Sequence, residues 1–233
     1  MKTIQQFISN PFIGIVVALT FATQVFAQTW TQTSAPNNNW LSVASSADGS
    51  KLVATVGGGF IYTSADSGIS WTPTSAPSNT WISAACSADG NILVAALFEG
   101  GIYTSTNFGT NWSETSAPSN TWISVASSAN GVALIAAALQ DLSGNPGLIY
   151  ASTNSGITWT ATAAPAEPWN SVACSANGER LVAATPRVHY SDGSLVPGSG
   201  LLYTSTDSGA TWVSNNAPSE NWWKSPHLRT EAN

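Results

Sequence analysis

The chain has 233 residues, of which only 8% are charged, and a formal net charge of −6 at pH 7. Phosphate contacts need clustered Lys and Arg, and the six here are scattered, so nucleic acid is excluded as a partner. Abundant Trp, Ser, Thr, Ala and Gly suit β-sheet with tight turns and suit neither helices nor disorder.

Residues 1–27 read first as a secretory signal. Lys2 supplies a positive start, an apolar run extends from Pro11 to Ala22, and Val25-Phe26-Ala27 offers small residues where a signal peptidase cuts. The run is short for a membrane span, so no integral span is expected after signal removal; an uncleaved anchor is the alternative. This places the protein in the periplasm or outside the cell.

From residue 28 to 223 the sequence repeats. One tryptophan series runs Trp40, Trp81, Trp122, Trp169, Trp222, and a second runs Trp30, Trp71, Trp112, Trp159, Trp212, both in steps of 41, 41, 47 and 53. Each unit reads as four short strands: A "WLSVASS", B "KLVATV", C "FIYTS" and D "ISWTPTS". Asp48-Gly49, Asp89-Gly90, Asn130-Gly131 and Asn177-Gly178 join A to B as tight hairpins. Pro36, Pro77, Pro118, Pro165 and Pro218 fall in the D-to-A connectors, where no ladder hydrogen bond is lost. All length variation lies between B and C. Four antiparallel strands in about forty residues is the pattern of a β-propeller blade.

The expected fold is therefore all-β, a propeller of four-stranded antiparallel blades with four complete units. "TWTQTSAP" near residue 30 reads as an orphan strand D. A fifth strand A starts at Trp222, and residues 224–233 form an irregular tail. An incomplete propeller is the primary reading, and a four-bladed ring with a trailing strand is the alternative.

The C-to-D link carries the most specific motif. Ser64-x-Asp66-x-Gly68-x-x-Trp71 and Ser205-x-Asp207-x-Gly209-x-x-Trp212 share one form. Ser105, Asn107, Gly109, Trp112 and Ser152, Asn154, Gly156, Trp159 repeat it with Asn for Asp. This motif resembles the Asp-box, or BNR repeat, found in sialidases, sortilin-type receptors, xyloglucan-cleaving glycosidases and photosystem II assembly factor-like proteins. The resemblance implies a structural turn lying away from the active face. An amide in place of the acid keeps a hydrogen-bond acceptor and would disable an acid catalyst, which supports the same role.

Candidate chemistry is then sought on the opposite face, among the B–C loops and D–A connectors. The longest insertion, "TPRVHYSDGSLVPGSG", holds Arg187, His189, Tyr190 and Asp192, and the shorter one adds Asp141. Arg187, His189, Tyr190 and Trp223 are the ligand-binding candidates. A sialidase site would need three clustered arginines, which are lacking. Glycoside hydrolysis needs two carboxylates flanking one bond; Asp141 and Asp192, from adjacent loops, come nearest to such a pair. The Trp40 series has two readings, a sugar-stacking rim or packing between blades. Cys86 and Cys174 occupy equivalent positions two units apart, beyond bridging distance, so no disulfide is expected. No metal-ligand spacing or phosphate loop is present, and no cofactor is expected. The expected function is a binding or scaffold module for carbohydrate or an extracellular or periplasmic protein. A glycoside hydrolase and an assembly factor for a membrane protein complex are the alternatives.

Overall fold

A computed structural model describes residues 31–186 and 200–215. The chain divides at Gln32, and the compact unit beginning at Thr33 holds all the described strands. Four blades follow in order. Blade 1 is β1 (Trp40–Ser45), β2 (Leu52–Gly59), β3 (Ile61–Ser64) and β4 (Thr72–Pro73). Blade 2 is β5 (Asn79–Cys86), β6 (Leu93–Leu97), β7 (Ile102–Ser105) and β8 (Ser113–Glu114). Blade 3 is β9 (Asn120–Ser127), β10 (Leu134–Asp141), β11 (Ile149–Ser152) and β12 (Thr160–Ala161). Blade 4 is β13 (Ser171–Cys174), β14 (Leu181–Ala184), β15 (Leu202–Ser205) and β16 (Val213–Asn215). Within each blade the strands pair antiparallel in sequence order, A to D.

Burial explains why strand B reads as an unbroken apolar run rather than an alternating one. Every residue of β6 is buried, because both faces of the strand meet a neighbouring blade. Leu93, Ala95 and Leu97 face blade 1, joining Val53, Ile61 and Trp81. Val94 and Ala96 face blade 3, joining Trp122, Leu134 and Ala136. Ile135 and Ala137 continue the pattern toward Trp169, Leu181 and Ala183 of blade 4. The core is thus a series of slabs between blades. Trp81, Trp122 and Trp169 are each 0% exposed inside them. Packing between blades is what the structure gives these three rings, and Trp40, on blade 1, is half-buried.

Hydrogen bonds repeat across the junctions with the same period. The Ala47 N–H donates to Ala88 O at 2.8 Å, Ala88 to Ala129 at 2.7 Å and Ala129 to Ala176 at 2.8 Å. Within strand A, Ser42, Ser83 and Ser124 accept through Oγ from the N–H groups of Ala84, Val125 and Val172 at 3.1, 3.1 and 3.2 Å. Ser83→Ala would leave the buried Val125 N–H without its acceptor. The expected cost is about 1–3 kcal/mol, read from urea unfolding; Ser45→Ala, which removes only a contact to the adjacent carbonyl, serves as the control.

Three expectations change. Strand D is shorter than read, starting at Thr72, Ser113, Thr160 and Val213, so each box tryptophan belongs to the turn rather than to the strand. Residues 31–36 form no strand, although Ser34 donates to Ile69 O as Ser75 and Ser116 donate to Thr110 O and Ile157 O. Finally, β2 runs past its own blade and pairs with β5 through Gly57↔Thr80 and Gly59↔Asn79. Blades 1 and 2 thereby share one eight-stranded sheet. The side-chain-free Gly57–Gly59 stretch permits that close approach.

Candidate functional site

The repeated turn is assembled from four side chains and two left-handed residues. Ser64 Oγ accepts from Gly68 N–H at 2.8 Å and donates to Asp66 Oδ1 at 2.7 Å; the same oxygen accepts from Ser70 N–H at 2.9 Å. Asn107 and Asn154 place an amide oxygen in the same role, each accepting a serine hydroxyl and a backbone N–H at 2.9–3.0 Å. Asp207 completes the set, accepting from Ser205 Oγ and Thr211 N–H at 2.8 Å each. Because both residue types offer the oxygen that is used, Asp and Asn interchange. Ser67 and Gly68 take φ of 58° and 89°, and the other three copies match. The serine or phenylalanine before each glycine is therefore left-handed too, which the motif alone does not reveal.

Each turn is tied in two directions. Ser67 N–H donates to Ser50 O, Phe108 to Asn91 O, Ser155 to Val132 O and Ser208 to Glu179 O, fastening it to the A–B hairpin of its own blade. The A–B turns and the C–D turns therefore share one face. Toward the preceding blade, a methyl added at Gly109 would meet Thr74 Cγ2 at 2.7 Å. One added at Gly156 would meet Thr104 and Thr115 Cγ2 at 2.8 and 3.3 Å, and one at Gly209 would meet Thr162 Cγ2 at 2.8 Å. The glycine keeps two blades close as well as turning the chain.

The turn carboxylates are held ionised. Asp66 is lowered to about 2, chiefly by the Ser70 hydroxyl, then by the Ser70 N–H. Asp48 and Asp89, in the A–B hairpins, are also lowered to about 2, chiefly by the Ser46 and Ser87 hydroxyls. The Thr211 hydroxyl lowers Asp207 likewise. A carboxyl whose folded value lies below its unfolded one stabilises the fold above the unfolded value, and that contribution fades as pH falls through the folded one. Stability should therefore be flat above about pH 4 and decline between about pH 4 and 2. Urea midpoints across that range would check this, and an Asp48→Asn, Asp66→Asn, Asp89→Asn, Asp207→Asn variant should show a flatter profile.

The opposite face carries the B–C loops. Phe60, Phe98 and Leu142, one from each of the first three blades, stand 42%, 36% and 59% exposed there. Glu99 lies beside Phe98 and is exposed. Asp141, the catalytic candidate, caps its own loop: Oδ1 accepts from Ser143 and Asn145 N–H at 2.8 and 2.9 Å, and Oδ2 from Asn145 Nδ2 at 2.7 Å. The Asn145 amide is the main cause of its lowered pKa. A general acid of a glycosidase is instead a carboxyl whose value is raised. Arg187, His189, Tyr190, Asp192 and Trp223 lie outside the described residues, as do the expected signal segment and C-terminal tail. Cys86 and Cys174 are free, half-buried and in separate core slabs, where burial pushes both thiols up. Among the described residues no group of His, Cys, Asp and Glu is arranged to hold a metal ion, and no helix is long and apolar enough to cross a membrane.

No protein-family model matches the chain, and no curated protein matches it. Solved structures do. The chain superposes on the GH74 enzyme of Niastella koreensis with a TM-score of 0.55 and 20% identity, over 86% of this chain and 34% of that one. The GH74 xyloglucanase of Xanthomonas campestris gives 0.56 and 16%, over 74% and 29%. These chains and the four stacked antiparallel blades share one architecture. The fold is a β-propeller. The computationally designed Ika4 protein also superposes, with a TM-score of 0.52 and 10% identity, over 72% of the propeller chain and 96% of its own. The propeller spans about a third of the length of the GH74 structures it matches. Likeness at these identities carries the fold and no activity.

Proposed function

We propose that this chain is a secreted or periplasmic Asp-box propeller that binds a carbohydrate chain on its B–C loop face, as a non-catalytic module. The observation that carries the proposal is the run of exposed Phe60, Phe98 and Leu142 on consecutive blades. A planar ring offers its face to the apolar face of a sugar, and successive blades present such contacts at intervals along an extended chain. The likeness to GH74 xyloglucanases is compatible with a polysaccharide ligand. Two observations favour binding over hydrolysis. The Asp141 carboxylate is engaged by its own loop, and Asp48, Asp66, Asp89 and Asp207 are engaged by turns on the other face.

A glycan array probed with the full chain tests this. A polysaccharide hit that weakens at least about tenfold in a Phe60→Ala, Phe98→Ala double variant, equivalent to roughly 1.4 kcal/mol, supports the reading. Release of reducing sugar that is lost on Asp141→Ala or Asp192→Ala would replace it with a glycoside hydrolase. Absence of any glycan hit, with a protein ligand whose binding needs the same two phenylalanines, would replace it with a protein-binding scaffold.

A further inference from the structure

The junctions between blades use the same repeat positions, so a change at one position changes what fills that junction. On the face bearing the A–B and C–D turns, two positions decide. One is the residue before the first leucine of strand B: Lys51, Ile92 or Ala133. The other is the residue before the turn glycine of the following blade: Phe108, Ser155 or Ser208.

Between blades 1 and 2 both positions are large. Phe108 packs on the slab containing Val53 and Leu93, as Cys86 also does, and Lys51 Nζ stands 5.3 Å from the Phe108 ring centroid. Between blades 2 and 3 Ile92 is large, close enough that a methyl on Gly131 would meet its Cβ at 2.7 Å. Between blades 3 and 4 Ala133 and Ser208 are both small. A cavity of about 210 Å³ remains there, walled by Ile135, Leu181 and Cys174. These three are the repeat counterparts of Val53, Leu93 and Cys86, which form or pack against the same slab as Phe108 two blades earlier.

We infer that this cavity is a binding site for a small uncharged molecule with one apolar ring, seated as the Phe108 ring is seated between blades 1 and 2. Size sets the class. An apolar cavity of about 150 Å³ admits benzene, whereas drug-sized ligands need roughly 300 Å³ or more. Charge narrows it, since none of the lining residues carries a formal charge at neutral pH. Thr153, Asn177 and Ser208 also line the cavity and can accommodate one hydroxyl substituent on the ring. The site lies on the face opposite the B–C loops and stands or falls independently of the proposed carbohydrate binding.

The test uses the full chain with fluorobenzene as the probe, followed by ¹⁹F NMR line broadening and by mass-spectrometric rates of iodoacetamide labelling at each cysteine. Binding should slow labelling of Cys174 several-fold and leave Cys86 unchanged. Ser208→Phe copies blade 2, and its backbone is ready for it, with φ of 58° against 55° at Phe108. That variant should lose fluorobenzene binding without a fall in thermal midpoint. If it fails to fold, Ala133→Ile, copying Ile92, should narrow the cavity and weaken binding instead. Fluorobenzene that does not bind the wild type, binds the folded variant equally well, or leaves Cys174 labelling unchanged overturns the inference.

Discussion

Trp122→Ala is expected to destabilise the protein by about 3–5 kcal/mol, the range for truncating a fully buried large aromatic. Trp122 is 0% exposed and packs in the slab between blades 2 and 3. Its ring meets Tyr150 edge-on at 5.5 Å, and its Nε1 donates to Gly100 O at 2.9 Å. Truncation removes the ring from the slab, opens a cavity lined by two blades, and takes the indole donor from Gly100 O. For a domain with about 5–15 kcal/mol of total stability, that is a large share. Trp40→Ala is the comparison, because Trp40 keeps the same edge-on tyrosine contact, to Tyr62 at 5.3 Å, but is only half-buried. Guanidinium unfolding of the two variants should show Trp122→Ala clearly the more costly. Equal costs would mean that packing across the junction is not what Trp122 contributes.

Gly156→Ala should cost more than Gly144→Ala, although both glycines have nearly the same backbone. Their φ values are 87° and 85°, so both replacements carry the left-handed penalty of about 1–2 kcal/mol. Around Gly144 an added methyl meets nothing within 4 Å, whereas at Gly156 it meets threonine methyls of blade 2 at 2.8 and 3.3 Å. Overpacking at such a contact adds about 1–3 kcal/mol. The difference between the two variants in urea unfolding therefore measures how firmly the turn is wedged against the preceding blade. A difference near zero would return the glycine to a purely local role in its turn.

Most of the blade was legible in the sequence because its signals are local. Asp-Gly and Asn-Gly hairpins, the fixed interval from Tyr62 to Trp71 and its copies, and the leucine opening each strand B locate the strands without tertiary information. Junction contacts were not legible. A period shows that Thr74 and Gly109 recur, and it does not show that one touches the other across blades. The same limit left the Trp40 series open between a rim and a core, which depends on what covers each ring. The loop capping by Asp141 was also readable. Ser143 and Asn145 follow it at the spacing of a capped turn, and their N–H groups do donate to its carboxylate. Of the other ligand candidates, Arg187, His189, Tyr190, Asp192 and Trp223 lie outside the described residues, so that part of the site rests on the sequence alone.

The alanine contacts from Ala47 to Ala88, Ala129 and Ala176 all run the same way, each N–H reaching forward to the next carbonyl. Every blade therefore offers a donor on one side and an acceptor on the other, as a magnet offers two poles. A copied blade inserted between any two existing ones would restore the contact that its arrival interrupts, and the same blade reversed would oppose donor to donor. Insertion of a copied blade in the same orientation thus leaves this hydrogen-bond pattern intact. That polarity requires successive blades to face one way if each junction is to keep its hydrogen bond.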